Sequence, residues 1–402
     1  MSDVEVIDEV ARLPLPGKVL WLGPALSAGR MSGNPAASPA ALRWSAGFLS
    51  GLRGNGVEYV HIGHEPARVW PYGPMRVRPA SARAADSSTS LGYTNLPRVR
   101  ELTLSRSYDR AVTRAVKDCA PRLLVTYNAE YHFQRAARSA VRLGVPWIPI
   151  LMDGDDRMFD TARPETWRWV QEAVSGASGV AFLSHWAFTH APCSAKFHMD
   201  GGVDASRMLQ DRGDAEAPVV LYTGTKGPWG GLDLLLDAWE KVRHPGASLW
   251  ICGPGEHPRL RAVAAATDRI RDFGLVDESR LGQLVEQAAV LVNPRPPSFP
   301  SNRLNFPSKI LEYLGTGKPI ASTRTVSFGP GYDDVLLFAS DESPGALAAV
   351  IDQALALSPA ERQAHRERVR RFAAIHGDWT TVVGKFLAWA AAPAGSRMSA
   401  HG

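Results

Sequence analysis

A buried strand, a glycine-rich loop and a helix open this chain, and the same series starts again near its middle. The first strand is predicted at residues 17–23 and its helix at about residues 38–52, whereas the second series has its strand at residues 218–222 and its helix at residues 232–242. Strand and helix patterns keep alternating after each opening. Such alternation produces parallel sheets covered by helices, with ligands at the carboxyl ends of the strands. We therefore predict an α/β protein with two parallel-sheet domains.

The length of the chain supports a division into two domains. A chain of 402 residues exceeds what one hydrophobic core usually serves, and residues 205–217 are polar with no strand pattern, which is typical of a linker. The predicted parts are a first domain over residues 1–208, a second domain over residues 209–375, a final helix over residues 376–392 and a disordered tail over residues 393–402.

The composition excludes several classes of protein. No apolar run approaches the ~18 residues of a membrane span, and the acidic start of the chain lacks a signal-peptide pattern, so we expect a cytoplasmic protein. Three widely spaced cysteines favour neither a disulfide framework nor a cysteine-rich metal site. The basic residues behind the modest net charge of +5 lack interleaved aromatic side chains, so we predict no nucleic-acid partner.

Two stretches of the first domain leave contact with a membrane open. Residues 63–96 are rich in Pro, Gly, Arg and Ser without a period, which predicts a long irregular loop that is functional or mobile. A helix with many basic residues follows over about residues 98–118. It can lie on the anionic inner face of a membrane, or it can be an ordinary solvated helix, which Glu101 and Asp109 favour.

Polar residues that follow strands of the first domain are candidates for catalysis, because such positions face the ligand site of a parallel sheet. Glu130 and His132 follow one strand, and Asp153 follows the next. Asp153 opens an acidic run over residues 153–156 that can bind a divalent metal. The run can equally cap a helix or form an exposed turn. We favour the cap or turn and predict no metal site.

The stretch with the most chemistry lies in the second domain, at residues 305–320. Pro307 sits where a helix can begin, because its missing N–H would have no partner there, and Lys309 and Glu312 follow on one face of that helix. A helix start with a nearby cation and carboxylate can hold a nucleotide diphosphate and its ribose. An ordinary connection between a helix and a strand would also explain the pattern.

The loop over residues 223–231 is a second candidate for nucleotide binding. Its glycines let backbone amides approach an anion, and Lys226 adds a positive charge. The loop lacks the Lys-Ser/Thr ending of a Walker loop and the full G-x-G-x-x-G spacing, so it is neither motif.

Several segments resemble, in order, glycosyltransferase family 4, also called group 1. In the first domain residues 197–204 resemble the segment that ends the family's acceptor domain, and Phe306-Pro307-Ser308-Lys309, continued to Pro319, is the most specific match. The other matching segments of the second half are residues 219–224 with 231–239, 249–255, 272–276 and 292–295.

This resemblance implies the GT-B architecture, in which two Rossmann-like domains face a cleft and the C-terminal helix returns to the first domain. It implies a glycosyltransferase that moves a sugar from a UDP-, GDP- or dTDP-linked donor to a saccharide, lipid-linked or natural-product acceptor. The donor is a co-substrate and no other cofactor is implied. Reaction with retention of anomeric configuration is also implied, and no metal is needed if cations of the site stabilise the leaving group.

The resemblance assigns roles to particular residues. Glu312 would bind the ribose, residues 273–276 would frame the base, and Lys309 and Arg295 would stabilise the charge of the departing diphosphate. The full set of implied donor-binding residues is Gly224, Thr225, Lys226, Phe273, Leu275, Val276, Pro307, Ser308, Lys309 and Glu312.

This chain departs from the family pattern at the diphosphate. Leu304 stands where a first glutamate is usual, and Thr225 and Gly230 stand where two cations are usual. The cations that can replace them are Lys226, Arg295 and Lys309.

Other mechanisms and functions stay open on the sequence. An inverting transfer would need a general base from the first domain, for which Asp153, Glu130 and His132 are the candidates. A sugar-nucleotide epimerase on the same architecture would need carboxylates beside the donor sugar, of which the second domain offers few. A non-catalytic binding protein would explain the loss of the usual loop cations.

Overall fold

Two parallel sheets, each covered by helices, form the protein, as the alternation of strands and helices predicts. The computed structural model describes residues 17–24, 38–79, 88–152, 172–204 and 217–392, together with the backbone of residues 400–401. The predicted domain boundary near residue 208 lies outside these residues and stays a prediction.

The first sheet has eight parallel strands in the order β16-β9-β8-β7-β6-β1-β2-β4. Helices α1 (Pro39–Gly54), α2 (Arg100–Cys119), α3 (Tyr131–Arg142) and α4 (His185–His190) accompany it. The strands of the first half are β1 (Val19–Leu22), β2 (Tyr59–His64), β3 (Arg76–Val77), β4 (Ser88–Leu91), β5 (Tyr93–Thr94), β6 (Leu123–Tyr127), β7 (Trp147–Leu151), β8 (Val180–Phe182) and β9 (Lys196–His198).

The second sheet has six parallel strands in the order β12-β11-β10-β13-β14-β15. Its strands are β10 (Val219–Thr223), β11 (Ser248–Cys252), β12 (Ile270–Asp272), β13 (Val290–Asn293), β14 (Ile320–Ser322) and β15 (Leu337–Phe338). The helices of this half are α5 (Leu232–Trp239), α6 (Pro258–Ala266), α7 (Glu278–Gln287), α8 (Lys309–Leu314), α9 (Pro344–Leu355), α10 (Pro359–His376) and α11 (Trp379–Ala391). Central strands such as β1 and β13 are buried at every residue, which explains their uninterrupted apolar sequences.

The stretch predicted as an irregular loop contains three short strands. β4 joins the edge of the first sheet beside β2, and β3 pairs with β5 in a separate antiparallel ribbon. Apart from the buried Tyr93, their residues are polar or partly exposed, so they carry no alternation that would predict strands. The amide of the fully buried Asn95 ties this stretch together, because it donates to the carbonyls of Arg68 at 2.6 Å and Pro74 at 2.9 Å.

The last helix, α11, packs on α1 of the first domain, as the predicted return of the C-terminal helix requires. The indole rings of Trp44 on α1 and Trp379 on α11 meet edge to face at 5.2 Å. A Cβ at Gly47 would lie 2.1 Å from the Trp379 ring, so the contact needs glycine there. The final segment differs from the predicted disordered tail, since Ala400–His401 form strand β16 beside β9; residues 393–399 and 402 lie outside the described residues.

Candidate active site

Three elements of the second domain bring two of the predicted cations, Lys309 and Arg295, close together. These elements are the carboxyl ends of β10 and β13 and the start of α8. The ammonium of Lys309, the first residue of α8, donates to the carbonyl of Thr223 at 3.3 Å. It lies 4.3 Å from the ring centre of Tyr222 and 6.0 Å from that of Tyr313. A Cβ at Gly224 would be 3.7 Å from this nitrogen. Among the described residues, no carboxylate pairs with Lys309.

Arg295, just beyond the end of β13, is the second cation of this cluster. One terminal nitrogen of its guanidinium donates to the carbonyl of Asn305 at 2.9 Å, which holds the loop that leads into α8. Burial and the neighbouring positive charge of Arg295 together hold the pKa of Lys309 well below its ordinary value. The two cations are thus close enough to repel each other, and an anion bound between them would relieve that repulsion.

Two buried phenols fix the walls around Lys309. The Tyr222 hydroxyl donates to the carbonyl of Thr225 at 2.8 Å, and the Tyr313 hydroxyl accepts from the amide of Thr223 at 3.0 Å. Burial raises the pKa of Tyr222 to about 12 and that of Tyr313 further above its ordinary value. Both phenols therefore stay neutral and add no negative charge to the cation cluster.

The start of α8 differs from the predicted helix start at Pro307. The helix has only six residues, and the amides of Ser308, Ile310 and Leu311 already donate to backbone carbonyls within the turn, at 2.9, 2.8 and 3.2 Å. An anion here would therefore depend on side chains more than on free backbone amides.

Lys226 occupies a different environment from the one the sequence predicts for a diphosphate ligand. Its side chain is 3% exposed, and the ammonium lies 2.8 and 2.7 Å from the two carboxylate oxygens of Asp272 at the end of β12. Its charge is compensated inside the protein, so its visible role is to join the loop over residues 223–231 to β12.

The segment predicted to frame the base follows this ion pair. The ring of Phe273 packs on Trp250 at 5.3 Å, and the guanidinium of Arg280 lies 5.6 Å from the Phe273 ring centre. Leu275 is 65% exposed, and Val276 is partly buried. An apolar side chain so exposed at this edge of the sheet is available to contact a flat base.

A groove of about 1120 Å³ runs between the two domains, and it is lined by Glu312, the residue predicted to bind the ribose. Glu312 of α8 and Ser308, which precedes that helix, line the groove from the second domain, and Arg43 of α1 lines it from the first. The Arg43 Nε donates to Glu312 Oε1 at 2.6 Å. Lys309, Arg295 and the base-framing segment are not among the residues that line this groove.

His132 lies in a separate cluster in the first domain. Its Nδ1 is 3.0 Å from a carboxylate oxygen of Glu101, and its ring stacks on Tyr108 at 5.5 Å. The hydrogen bond with His132 lowers the pKa of Glu101. The neighbouring His64 is neutral at physiological pH, because burial lowers its pKa to about 3.

The remaining candidates in the first domain stay untested by the geometry. Glu130 precedes α3 and accepts a long hydrogen bond of 3.5 Å from Asn128. Asp153 and the rest of the acidic run lie outside the described residues. Within the described ranges, no three His, Cys, Asp or Glu side chains are grouped as a metal ion would require.

Arg43, Tyr222 and Tyr313 are site residues that sequence reasoning missed. Arg43 is one arginine within an amphipathic helix, and no motif marks it. The tyrosines stand in apolar stretches that predict core positions. Only the packing of α1 against α8, and of β10 against α8, gives these side chains a place at the site.

Comparison with known proteins explains the arrangement. Residues 217–356 match the family model described as "Glycosyl transferases group 1". The second half of the chain therefore carries a group 1 glycosyltransferase domain. The match to this family model favours sugar transfer over the epimerase and the non-catalytic binding protein. A search of curated proteins found no match to the chain.

Solved structures share the fold across almost the whole chain. The chain is similar to HepE from Anabaena in complex with UDP and glucose, at a TM-score of 0.62 and 14% identity, over 92% of this chain and 98% of that one. It is similar to sucrose-phosphate synthase from Thermosynechococcus elongatus at a TM-score of 0.64 and 15% identity, with coverage of 92% and 98%. A glycosyltransferase from Rickettsia africae gives a TM-score of 0.68 at 13% identity, with coverage of 92% and 97%.

Proposed function

We propose that this glycosyltransferase uses a UDP-linked sugar and places its diphosphate against Lys309 and Arg295. The observation that carries the proposal is the Lys309 ammonium, which is held beside Gly224 with no carboxylate partner among the described residues. A second cation, Arg295, stands near it and depresses its pKa. Two neighbouring cations at the ends of parallel strands attract an anion, and UDP is the nucleotide in the HepE complex.

The chemical role of these cations concerns the leaving group. When the bond between the sugar and the diphosphate breaks, negative charge grows on the departing UDP. Fixed positive charges stabilise that transition state more than the ground state, since they require no reorganisation. We assign Lys309 and Arg295 this role, with Glu312 accepting hydrogen bonds from the ribose hydroxyls and Phe273, Leu275 and Val276 framing the base.

Retention of anomeric configuration without a metal is part of the proposal. The cations can supply the charge stabilisation that a metal would otherwise provide. Glu101 holds His132 through Nδ1, so His132 would act as a general base through Nε2 in an inverting reaction. We favour a mechanism that needs no general base. Asp153 and Glu130 stay as alternatives for an inverting reaction.

The experiment is a turnover assay with Lys309→Met. UDP release from UDP-sugars, with water or an added saccharide as the acceptor, should fall at least tenfold, because loss of one such donor typically costs 10²–10³ in turnover. Lys241→Met removes an exposed cation of the same domain and serves as the control. Normal turnover of Lys309→Met would overturn the assignment, as would faster release from GDP- or dTDP-sugars. NMR of the first-formed product reports the anomeric configuration, and added EDTA should leave the rate unchanged.

The acceptor domain carries a surface that suits a lipid-linked acceptor. Three exposed apolar side chains, Trp70 at 48%, Tyr72 at 84% and Met75 at 50%, project from the loop that Asn95 holds. Described residues 66–79 and 88–100 contain five arginines and no carboxylate. The arginine–aromatic surface, as we call it, comprises Arg68, Trp70, Tyr72, Met75, Arg76, Arg78, Arg98, Val99 and Leu102.

We infer that the arginine–aromatic surface rests on an anionic membrane, at its cytoplasmic face, and brings the acceptor domain to lipid-linked acceptors. Tryptophan and tyrosine favour the interface between lipid and water, and arginines are attracted to anionic head groups. No helix in the described part of the chain has the length and apolarity needed to cross a membrane. The contact would therefore be peripheral.

A further inference from the structure

The ion pair between Arg43 and Glu312 joins the two domains at the position proposed for the donor ribose. Arg43 belongs to α1 and Glu312 to α8, and their side chains are 45% and 38% exposed. No other polar partner of Glu312 exists among the described residues. The carboxylate therefore has one oxygen occupied by Arg43 and one that is open to the groove.

A ribose bound to Glu312 would need the carboxylate oxygen that Arg43 now occupies. The 2′- and 3′-hydroxyls of a ribose both donate, and an ionised carboxylate accepts through both of its oxygens. A charge-assisted hydrogen bond from a guanidinium is stronger than one from a hydroxyl. Arg43 is thus an effective competitor for Glu312 Oε1.

The placement of α1 does not depend on this ion pair. Trp44, the next residue, stacks on Phe48 at 5.7 Å and meets Trp379 of α11, while Gly51 packs against Val383. These apolar contacts keep α1 in position when Arg43 is replaced. The ion pair can therefore form and break without unfolding the first domain.

We propose that Arg43 is a positioning residue of the donor site, which occupies Glu312 in the free enzyme and gives up the carboxylate when the ribose binds. The inference rests on the proposed ribose role of Glu312. Nucleotide binding and the Arg43–Glu312 contact then exclude each other, so the donor loosens one link between the domains as it binds. Because coupling is reciprocal, loss of the link should favour the nucleotide to the same degree.

The test compares UDP with 2′-deoxy-UDP by calorimetry in the wild-type enzyme and in Arg43→Met, which keeps the stem of the side chain without its donors. An exposed ion pair of this kind corresponds to about a 1.4- to 5-fold effect, so UDP should bind more tightly to Arg43→Met by the same factor. The gain for 2′-deoxy-UDP should be smaller, since it has one hydroxyl fewer for the carboxylate. Arg53→Met, which removes a charge from the same helix outside the groove, should leave both affinities unchanged.

Unchanged or weaker UDP binding by Arg43→Met would overturn the inference, and Arg43→Gln provides the same comparison should the methionine variant not fold. Glu312→Gln separates the two proposals. If Glu312→Gln weakens UDP binding and removes the preference for UDP over 2′-deoxy-UDP while Arg43→Met has no effect, only the competition by Arg43 fails. If Glu312→Gln binds both nucleotides as the wild type does, the ribose role of Glu312 and the competition by Arg43 are both wrong.

Discussion

At the scale of one residue, the surroundings of Lys309 determine how readily it can bind an anion. Its ammonium is surrounded by the Tyr222 and Tyr313 rings and the Thr223 carbonyl, which stabilise a cation weakly and carry no net charge. Burial and Arg295 both disfavour the protonated form, so the pKa of Lys309 lies well below its ordinary value. A diphosphate would reverse the balance by pairing with the charge.

This environment predicts a pH dependence of nucleotide binding. Lys309 must be protonated to pair with UDP, so affinity should decrease as pH rises through its lowered pKa, and binding above that pKa should take up a proton. Arg295→Gln removes the repulsion and should move the inflection to higher pH, although it also weakens binding. Calorimetry across a pH series, in buffers of different ionisation enthalpy, measures both effects.

Arg295→Lys is the matched control, because it keeps the positive charge and should leave the inflection lower than in Arg295→Gln. Lys309→Met should show no such inflection. An unchanged inflection in Lys309→Met would mean that another group titrates.

At the scale of elements, the ion pair between Lys226 and Asp272 joins two of the loops that form the site. Asp272 also accepts from the amide of Gly274 at 2.9 Å, and the amide of Gly253 donates to the Gly274 carbonyl at 2.8 Å. The end of β12 is thereby fixed to the loop after β10 and to the end of β11. The base-framing segment starts from this fixed point.

The two partners of the pair should respond unequally to substitution. Asp272→Asn leaves the buried Lys226 charge without compensation, which should cost about 3 kcal/mol of unfolding free energy. Lys226→Met leaves a carboxylate that is 30% exposed and still bonded to Gly274, so the loss should be about 1 kcal/mol. Denaturant unfolding measures both values.

Lys226→Met also decides between two roles for this lysine. A structural role predicts that the variant still binds UDP. Loss of UDP binding by a folded Lys226→Met would instead support the diphosphate role that the sequence alone suggests.

At the scale of the whole molecule, the first domain presents the arginine–aromatic surface, which we propose as the contact with a membrane. The apolar side chains of this surface are exposed on a loop that buried hydrogen bonds hold in place. Their exposure is therefore a property of the folded protein, and a surface of this kind usually marks an interaction.

We expect the protein to bind vesicles that contain phosphatidylserine and not to bind vesicles of phosphatidylcholine alone. Each basic residue near an anionic surface contributes about 1 kcal/mol, so Arg68→Gln/Arg76→Gln/Arg98→Gln should reduce partitioning about a hundredfold. Sedimentation with vesicles measures the change.

The matched control makes the same change of charge on the basic helix α2, as Arg106→Gln/Arg110→Gln/Arg114→Gln. A larger loss in this control would place the membrane contact on α2, which is the surface that the sequence suggested. Trp70→Ala/Tyr72→Ala should weaken binding at high salt, where arginines contribute least.

Local patterns predicted the two parallel-sheet domains. The apolar runs of β1 and β10, followed by glycine-rich loops and helices, specify their elements through short-range periodicity. The Pro307–Lys309 stretch predicted a cation near a helix start, and the structure places the Lys309 ammonium 3.3 Å from the Thr223 carbonyl at the end of β10. Its role at the diphosphate stays a prediction. The short strands β3, β4 and β5 escaped prediction, because tertiary hydrogen bonds, and not alternation, hold them.

The sequence by itself determined where most of the strands and helices form, which family motif the second domain carries and which cations are available. Only the tertiary structure decided what each charge contacts. Lys226 is paired with Asp272, Lys309 is held between two tyrosines, and Glu312 is joined to Arg43, 269 residues away. Ion pairs between distant segments leave no periodic signal in a sequence, since they depend on how whole helices and strands pack.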